Sequence, residues 1–600
     1  MSRVNAFSMP TMTVGSVIQE LLPFGSNPME LSFGDEEPNW EIVPLWAPDL
    51  FAVVATLAER SGFYAEPGIA LSTTASGRKL KRRRAAQAES MGADWGKVSI
   101  GVPSGQVLTL WERLLTAWGA PVCAGPGFGK RWKDAAMKLL ATVDEACAGV
   151  GYAPDDISPD RSQTLATFVL EEYLSAVPHA PKRKSKIGFL PFLPYSLARA
   201  VPADRACVLP KALTPEVGCT LRSMTHNLSL LPGIGEVTAE WRLTSSQSAK
   251  PASIKESSPF NLLVIPYPYH INSADFSVGR APDGSDVDGY FQLNAGWMPK
   301  GNERDQVKKI ADFILALIKA AEADGGDVNA IILPESALPL AIAEKVAPAV
   351  WDKCRHLEMF ITGVLSPPPA RPAGGEPPFP RNEAFVARFN ENGDVDQYCQ
   401  AKHHRWRLDS TQIENYGLSH VLNAAKSWWE KIDLADRRMI FGLDSRQAVV
   451  AALICEDLAR YDPVLPVLAA IGPNLVIALL MDGPQLGHRW PGRHATVLAD
   501  DPGAAVLTVT SLGMVRRSTP PRGVSCRDCV ALWTERGKPP KELDLTSGGH
   551  ALFLALSAQS RKQKTLDIRS QRDSGGLIEY KLSGCREITL TDLQNFAWLK

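Results

Sequence analysis

Residues 451–460 read AALICEDLAR, an apolar run that ends at a cysteine followed by two acids. The apolar run covers residues 447–454 almost without interruption, which is typical of a strand buried on both faces of a sheet. Cys455 stands at the exit of this strand, where layered α/β folds present reactive groups. The stretch therefore predicts an α/β sheet with a reactive thiol at its edge.

The composition limits the class of protein. The chain has 600 residues, 45% of them hydrophobic and 22% charged, as expected for a soluble globular protein of roughly three to four domain-sized units. The formal net charge of -1 gives no overall electrostatic reason to expect nucleic acid or an acidic membrane. The sequence has neither a bilayer-spanning apolar stretch nor the apolar core of a signal peptide. We therefore expect a cytoplasmic protein whose ten cysteines are reduced thiols.

The clearest linker is LTSSQSAKPASIKESSP, residues 243–259, which is rich in Ser, Lys and Pro. It predicts an N-terminal domain over residues 1–243, a linker over 244–259 and a C-terminal domain over 260–600. No catalytic constellation precedes the linker, so the N-terminal half gives no indication of its role. That half is predicted to be mainly helical or α+β, with helical apolar spacing in Pro48–Arg60, Leu108–Trp118, Trp132–Cys147 and Gln163–Val177.

Two basic runs lie in the N-terminal half, GRKLKRRR at Gly77–Arg84 and PKRKSK at Pro181–Lys186. We predict both as solvated loops, because short charge runs are usually solvent-facing. A nucleic-acid contact is the alternative that these runs leave open.

Beyond the linker, apolar strands alternate with helices, which predicts sheets covered by helices. The predicted helices cover residues 303–322 and 340–354. The predicted strands cover residues 261–267, 329–333, 358–364, a hairpin of 382–389 and 395–401, then 447–454, 475–480 and 505–510.

Three strand exits carry residues suited to acyl transfer, namely Glu335, Lys402 and Cys455. Glu335 could accept the proton of the Cys455 thiol. Lys402 and the backbone N–H of Glu456 could stabilise the oxyanion of a tetrahedral intermediate. A helix beginning near Glu456 would also favour the thiolate through its positive N-terminal end.

In this order and on this strand pattern, Pro-Glu335, Tyr398-x-x-x-Lys402 and Ile-Cys455-Glu-Asp-Leu resemble the nitrilase, or carbon–nitrogen hydrolase, superfamily. The ICEDL motif is most similar to that of amidase-type and glutaminase members. The resemblance covers about residues 261–513, including GPNLVIALLMDG at 472–483. It implies an αββα sandwich and a Glu-Lys-Cys triad. The implied reaction cleaves a non-peptide C–N bond of an amide or nitrile through a cysteine thioester.

The resemblance implies further roles. Asp457 would hold the turn after the cysteine, and Glu414 would be a second glutamate that positions substrate or lysine, with an exposed structural acid as its alternative. The chain also departs from the family, with Ala459 where Arg or Trp is common. The tract Leu418–Ser445 resembles an insertion, which leaves substrate specificity open.

We expect a small-molecule amide or nitrile substrate, a homodimer or higher homo-oligomer, no membrane partner and no cofactor. The pair Cys526 and Cys529, with His550 and Cys585, is a weak alternative for a zinc site. The alternative function is a binding or regulatory protein that retains a nitrilase scaffold and acts through oligomerisation and its N-terminal domain. A bacterial phage-defence system is one setting compatible with that architecture.

Overall fold

The structure is a computed structural model whose described residues fall into two compact units. The first unit contains the described residues up to 234 together with 563–569, and the second contains those of 237–561 and 577–599. The described residues are 12–27, 37–65, 74–97, 103–123, 129–151, 195–212, 218–234, 237–243, 258–280, 286–368, 379–390, 393–518, 527–561, 563–569, 577–591 and 594–599.

The described part of the first unit is mostly helical. The predicted helices at 48–60, 108–118 and 132–147 correspond to observed helices, and the one at 163–177 lies outside the described residues. The elements are α1 (Val14–Leu21), α2 (Ala47–Ser61), α3 (Ala75–Gly96), α4 (Gly105–Leu115), α5 (Lys130–Ala146), β1 (Ala206–Pro210), α6 (Leu221–Met224) and β2 (Leu228–Pro232).

The basic run at 77–84 lies inside helix α3, so its prediction as a loop is wrong. Thr74 caps the helix by accepting a hydrogen bond from the backbone N–H of Gly77. Lys and Arg are good helix formers, and most of the run remains exposed. The second basic run, residues 181–186, lies outside the described residues.

The second unit is mixed α/β. Its strands are β3 (Thr238–Arg242), β4 (Ser258–Val264), β5 (Phe276–Arg280), β6 (Asp286–Leu293), β7 (Ala330–Ile332), β8 (Leu338–Pro339), β9 (Met359–Ser366), β10 (Arg381–Phe389), β11 (Val395–Ala401), β12 (Arg407–Leu408), β13 (Trp428–Glu430), β14 (Arg438–Leu443), β15 (Val449–Ile454), β16 (Leu475–Leu480), β17 (Ala505–Thr510), β18 (Cys529–Thr534), β19 (Lys541–Asp544), β20 (Ala551–Arg561) and β21 (Leu577–Ile588). Its helices are α7 (Glu303–Glu322), α8 (Leu340–Trp351), α9 (Ser410–Asn415), α10 (Val464–Ile471), α11 (Trp490–Asp500) and α12 (Leu512–Arg517).

The strands form two large sheets and one small sheet. The first large sheet has the order β11-β10-β9-β7-β4-β20-β21, with β8 paired to β9. The second has the order β19-β18-β17-β16-β15-β14-β3. Strands β12, β13, β6 and β5 form the small sheet. Strand β15 is central in its sheet and buried along its whole length, as its apolar run predicts.

The two large sheets contact each other through buried polar groups as well as apolar side chains. Gln400 of β11 donates its side-chain amide to the carbonyl oxygen of Ala452 at 2.7 Å and accepts the N–H of Ile440 at 2.8 Å. Helix α7 packs on α8 and β21, whereas α11 packs on β17 and β18. The described strands and helices of this unit are therefore layered, and the helix predicted at 303–322 has those bounds.

The units differ from the predicted domain boundaries at two places, the start of the second unit and the segment that interrupts it. Strand β3 precedes the predicted linker but pairs in parallel with β14, with Trp241 fully buried. The segment 563–569 belongs to the first unit, where buried Arg569 donates to Asp144 at 2.9 Å and to Glu145 at 2.7 Å. Residues 244–257 of the predicted linker lie outside the described residues. Within the described part of the chain, no helix has the length and apolar character that crossing a bilayer requires.

Candidate active site

The predicted carboxylate and ammonium meet in the interior of the second unit. Glu335 follows β7 and Lys402 follows β11, and Nζ of Lys402 donates to Oε1 of Glu335 at 2.8 Å. Nζ also donates to Oε2 of Glu430, the last residue of β13, at 2.7 Å. The Lys402 and Glu335 side chains are 0% and 2% exposed. The lysine is therefore held between two carboxylates in a site nearly closed to water.

An asparagine bridges the two carboxylates. Nδ2 of Asn382, at the start of β10, donates to Oε1 of Glu335 and to Oε1 of Glu430, each at 2.8 Å. The backbone N–H of Trp406 donates to Oε2 of Glu430 at 3.1 Å. Every oxygen of Glu430 is thus occupied, which fixes this carboxylate as a support for Lys402. Oε2 of Glu335 is buried and has no partner among the described residues, so it is the oxygen free to accept a proton.

Cys455 begins a 3₁₀ turn over residues 455–458 and is 3% exposed. Its φ of 42° lies in the left-handed region, and Ser336, directly after Glu335, has a φ of 55°. Non-glycine residues in this region cost of order 1 kcal/mol. Two such residues, one after strand β7 and one after strand β15, indicate that the surrounding packing imposes these conformations.

The surroundings of the Cys455 thiol favour its protonated form. Burial raises the pKa of Cys455 well above its ordinary value, the charge of Glu335 raises it further, and Lys402 opposes both. The expected helix is a turn of only four residues, too short for a substantial helix dipole. The structure therefore does not support a preformed thiolate, and a base has to remove the proton.

Glu335 is suited to that task by its surroundings. Burial raises the pKa of Glu335, and the charge of Lys402 lowers it in part. Burial would lower the pKa of Lys402, but the charges of Glu335 and Glu430 outweigh burial and hold it well above its ordinary value. Lys402 is therefore a permanent cation beside a carboxylate of increased basicity.

Gly363 of β9 allows Glu335 to sit where it does. A Cβ atom on Gly363 would lie 2.4 Å from the Cα of Glu335 and 2.5 Å from the N of Ser336. Only a residue without a side chain permits this approach. The N–H of Gly363 also donates to the carbonyl oxygen of Pro334 at 3.0 Å, which fixes the backbone that carries the carboxylate.

The two acids after Cys455 have different surroundings. The Glu456 side chain pairs with Arg460 at 2.7 Å on the outer side of the turn. Asp457 is buried and accepts the backbone N–H of His403 at 3.1 Å, and the Nδ1 atoms of His403 and His404 lie at 3.1 Å and 2.9 Å from its oxygens. Asp457 thus joins the turn to the residues that follow Lys402.

Glu414 is exposed on α9 and does not reach the site. The place beside Lys402 that was predicted for Glu414 is occupied by Glu430. Sequence analysis missed Glu430 because it lies in the tract 418–445, which resembles an insertion. Its position at the end of the short strand β13 was the available indication, since the other reactive residues also lie at strand ends.

A further set of polar residues includes Asp482, whose charge acts on the Cys455 thiol. Tyr416, at the end of α9, donates its hydroxyl to Oδ1 of Asp482 at 2.7 Å, and Nη2 of Arg489 donates to the same oxygen at 2.9 Å. These three residues were not predicted. Asp482 follows β16 by two residues, so it too could have been found as a polar residue at a strand exit.

Among the described residues, one group of three side chains has the spacing of metal ligands. These are Glu322, Cys354 and His356, whose ligand atoms lie within 4.8 Å of one another. In the alternative zinc set, Cys529 is buried in β18, and its thiol donates to the carbonyl oxygen of Gln485 at 2.9 Å. Cys526 lies outside the described residues. The described members of that set do not form a ligand group.

No protein-family profile matches the chain, and no curated protein matches it. Among solved structures, the chain is similar to Saccharomyces cerevisiae Nit3, a member of branch 10 of the nitrilase superfamily, with a TM-score of 0.23 and 14% sequence identity. The match covers 56% of this chain and 93% of Nit3. A TM-score of this size assigns neither a fold nor an activity, so a functional assignment has to rest on the contacts described above.

Proposed function

We propose that the second unit is a carbon–nitrogen hydrolase that cleaves a non-peptide amide or nitrile through a thioester on Cys455. The observation that supports this most is the buried contact of Lys402 with Glu335 and Glu430, in which the charges of Glu335 and Lys402 both act on the Cys455 thiol. Burying one cation between two carboxylates is costly unless each is hydrogen-bonded. Buried charge clusters are frequent at active sites, where they adjust the pKa values of catalytic groups.

For an amide, the first half-reaction forms the thioester. Glu335 accepts the Cys455 proton as sulfur attacks the carbonyl carbon, and negative charge develops on the carbonyl oxygen. Lys402 and the backbone N–H of Glu456 stabilise that oxyanion. The intermediate then collapses, the C–N bond breaks, and Glu335 returns the proton to the departing amine.

In the second half-reaction, water takes the place of the amine. Glu335 accepts a proton from the water as its oxygen attacks the thioester carbon, and Lys402 again faces the oxyanion. The C–S bond breaks and the sulfur regains the proton, which releases a carboxylic acid. Glu430 and Asn382 hold Lys402 and Glu335 in place during both steps.

The proposed scaffold is an αββα sandwich made from the two large sheets and the helices packed on them. Association of two such units through their helix layers would give a homodimer or a higher homo-oligomer, because isologous two-fold contacts are the commonest kind. Sedimentation of the full chain tests the assembly, and a monomer at micromolar concentration would contradict it.

The hydrolase assignment is tested by incubating the chain with a panel of primary amides and nitriles and measuring ammonia. Adding hydroxylamine should divert the acyl group into a hydroxamate, which identifies a thioester intermediate. Cys455→Ala should abolish both products and leave the fold intact. Equal turnover by Cys455→Ala would overturn the proposal, as would a wild-type chain with no turnover and no thiol adduct at Cys455.

A further inference from the structure

Asp482 lies at the same sheet edge as the proposed nucleophile. Strands β15 and β16 are parallel neighbours with Ile454 opposite Leu479. Cys455 follows Ile454 directly, and Asp482 follows β16 by two residues. Because parallel strands end at the same edge, both side chains are presented there. Asp482 is also among the charges that raise the pKa of Cys455, after burial and Glu335.

The two oxygens of Asp482 are used unequally. Oδ1 accepts hydrogen bonds from the Tyr416 hydroxyl and from Nη2 of Arg489. Oδ2 is buried and has no partner among the described residues. The side chain is only 7% exposed, so water does not readily take the place of a partner. A purely structural carboxylate would be expected to use both oxygens, since a buried acceptor without a donor is unfavourable.

The charges around Cys455 indicate which donor would be favourable. The buried carboxylates of Glu335, Glu430 and Asp482 face the cations Lys402 and Arg489, three negative charges against two positive ones. Two further carboxylates lie in the turn after the thiol, and both already have partners: Glu456 is paired with Arg460, and Asp457 accepts the backbone N–H of His403 and lies within hydrogen-bond distance of the His403 and His404 rings. A bound cation would balance this excess, whereas a bound anion would add to it.

We propose that Oδ2 of Asp482 binds a protonated amine on the non-reacting part of the substrate, so that the enzyme acts on amides or nitriles that carry a cationic amino group. This substrate class rests on the hydrolase function proposed above. Tyr416 and Arg489 are positioning residues in this arrangement, because they orient the carboxylate by occupying its other oxygen.

Methanethiosulfonate reagents test the inference without a known substrate. The Cys455 thiol gives its proton to Glu335 as its sulfur attacks the reagent sulfur that carries the transferred group. An S–S bond forms, the S–SO₂ bond breaks and methanesulfinate leaves. The probes are the cationic 2-aminoethyl, the neutral methyl and the anionic 2-sulfonatoethyl reagents, with modification of Cys455 followed by peptide mass spectrometry. In the wild-type chain we expect the cationic reagent to react about tenfold faster than the neutral one and the anionic reagent to be the slowest.

Asp482→Asn keeps an oxygen for Tyr416 and Arg489 but replaces the free acceptor with a donor. The ratio of cationic to neutral rates should fall to about one, and dividing by the neutral rate removes any change in the pKa of the thiol. Glu456→Gln is the matched control, because it also removes a carboxylate near Cys455, and it should retain most of the preference. An unchanged ratio in Asp482→Asn, or an equal fall in Glu456→Gln, would overturn the inference.

A second measurement uses only the wild-type chain and covers the case in which Asp482→Asn does not fold. A series of ω-amino primary amides should protect Cys455 from the neutral reagent, and alkyl amides of equal length should protect it at least tenfold less well. Equal protection would overturn the amine site. The two proposals can be disproved separately. Turnover by Cys455→Ala would disprove the hydrolase function. Protection or turnover that does not depend on the amino group would disprove only the substrate class.

Discussion

The Asp457 carboxylate accepts the backbone N–H of His403, with both carboxylate oxygens 3.1 Å from that nitrogen. Asp457 lies two residues after Cys455, and His403 directly follows Lys402. One buried carboxylate therefore joins the turn that carries the thiol to the strand end that carries the ammonium. Burial alone would raise the pKa of Asp457, but hydrogen bonds from His403 and His404 outweigh it and hold the pKa below its ordinary value.

Removing this link should affect both stability and turnover. We expect Asp457→Ala to lower the free energy of unfolding by about 3 kcal/mol, because buried donors lose a charged acceptor. Asp457→Asn keeps one acceptor and should lose about half as much. In both variants kcat should fall more than KM rises. Urea denaturation and steady-state kinetics measure these effects, and an unchanged kcat would show that the link is not needed for catalysis.

Glu430 and Glu414 form a matched pair for testing which glutamate supports the lysine. Glu430→Gln weakens the contact with Lys402 and should lower kcat at least 100-fold, a typical effect of removing one preorganised electrostatic group. Glu414→Gln changes an exposed side chain and should stay within twofold of the wild-type chain. Kinetics on the same amide measure both. A larger loss in Glu414→Gln than in Glu430→Gln would reverse the assignment that the structure makes.

The difference between these two glutamates shows what the sequence could predict. Glu335, Lys402 and Cys455 were found because each lies at the exit of a strand that the sequence predicts, and the patterns of buried strands and hairpins are local. Glu430 is the last residue of a strand of only three residues, Trp428–Glu430, which pairs with β6 from more than a hundred residues earlier. Such pairing depends on long-range contacts, and those are not encoded in local periodicity.

The same limit applies to the domain boundaries. The linker over 244–259 was predicted from local composition, but strand β3 before it completes the sheet edge beside β14. Arg569 likewise lies in a polar stretch, and its burial in the first unit depends on Asp144 and Glu145. Local patterns correctly gave helix α7 and strands β16 and β17, whose apolar spacing is regular.

The pH dependence of kcat/KM should reflect the raised pKa of Glu335. The base works only when deprotonated, and burial keeps its proton bound to a higher pH than in an ordinary glutamate. Activity should therefore be low at acidic pH and rise with a midpoint above the usual value of about 4.3. The pKa values of Cys455 and Lys402 are also raised, so no fall is expected below about pH 9. A pH–rate profile with a midpoint at or below 4.3 would contradict this assignment.

The backbone conformation of Cys455 predicts an unusual order of stability between two inactive variants. Glycine is ordinarily less stabilising than alanine by about 0.5–1 kcal/mol because it loses more conformational freedom on folding. At a φ of 42°, alanine instead retains the steric strain that glycine relieves.

The free energy of unfolding of Cys455→Gly should therefore equal that of Cys455→Ala or exceed it by up to about 1 kcal/mol. Both variants lose the nucleophile and all turnover. Urea denaturation of the two variants measures the difference. The control is Ala452→Gly, inside strand β15, where the chain with alanine should be the more stable. If alanine is the more stable at both positions, the turn does not hold Cys455 in a strained conformation. The structure would then give no reason to regard this residue as positioned for reaction at the expense of stability.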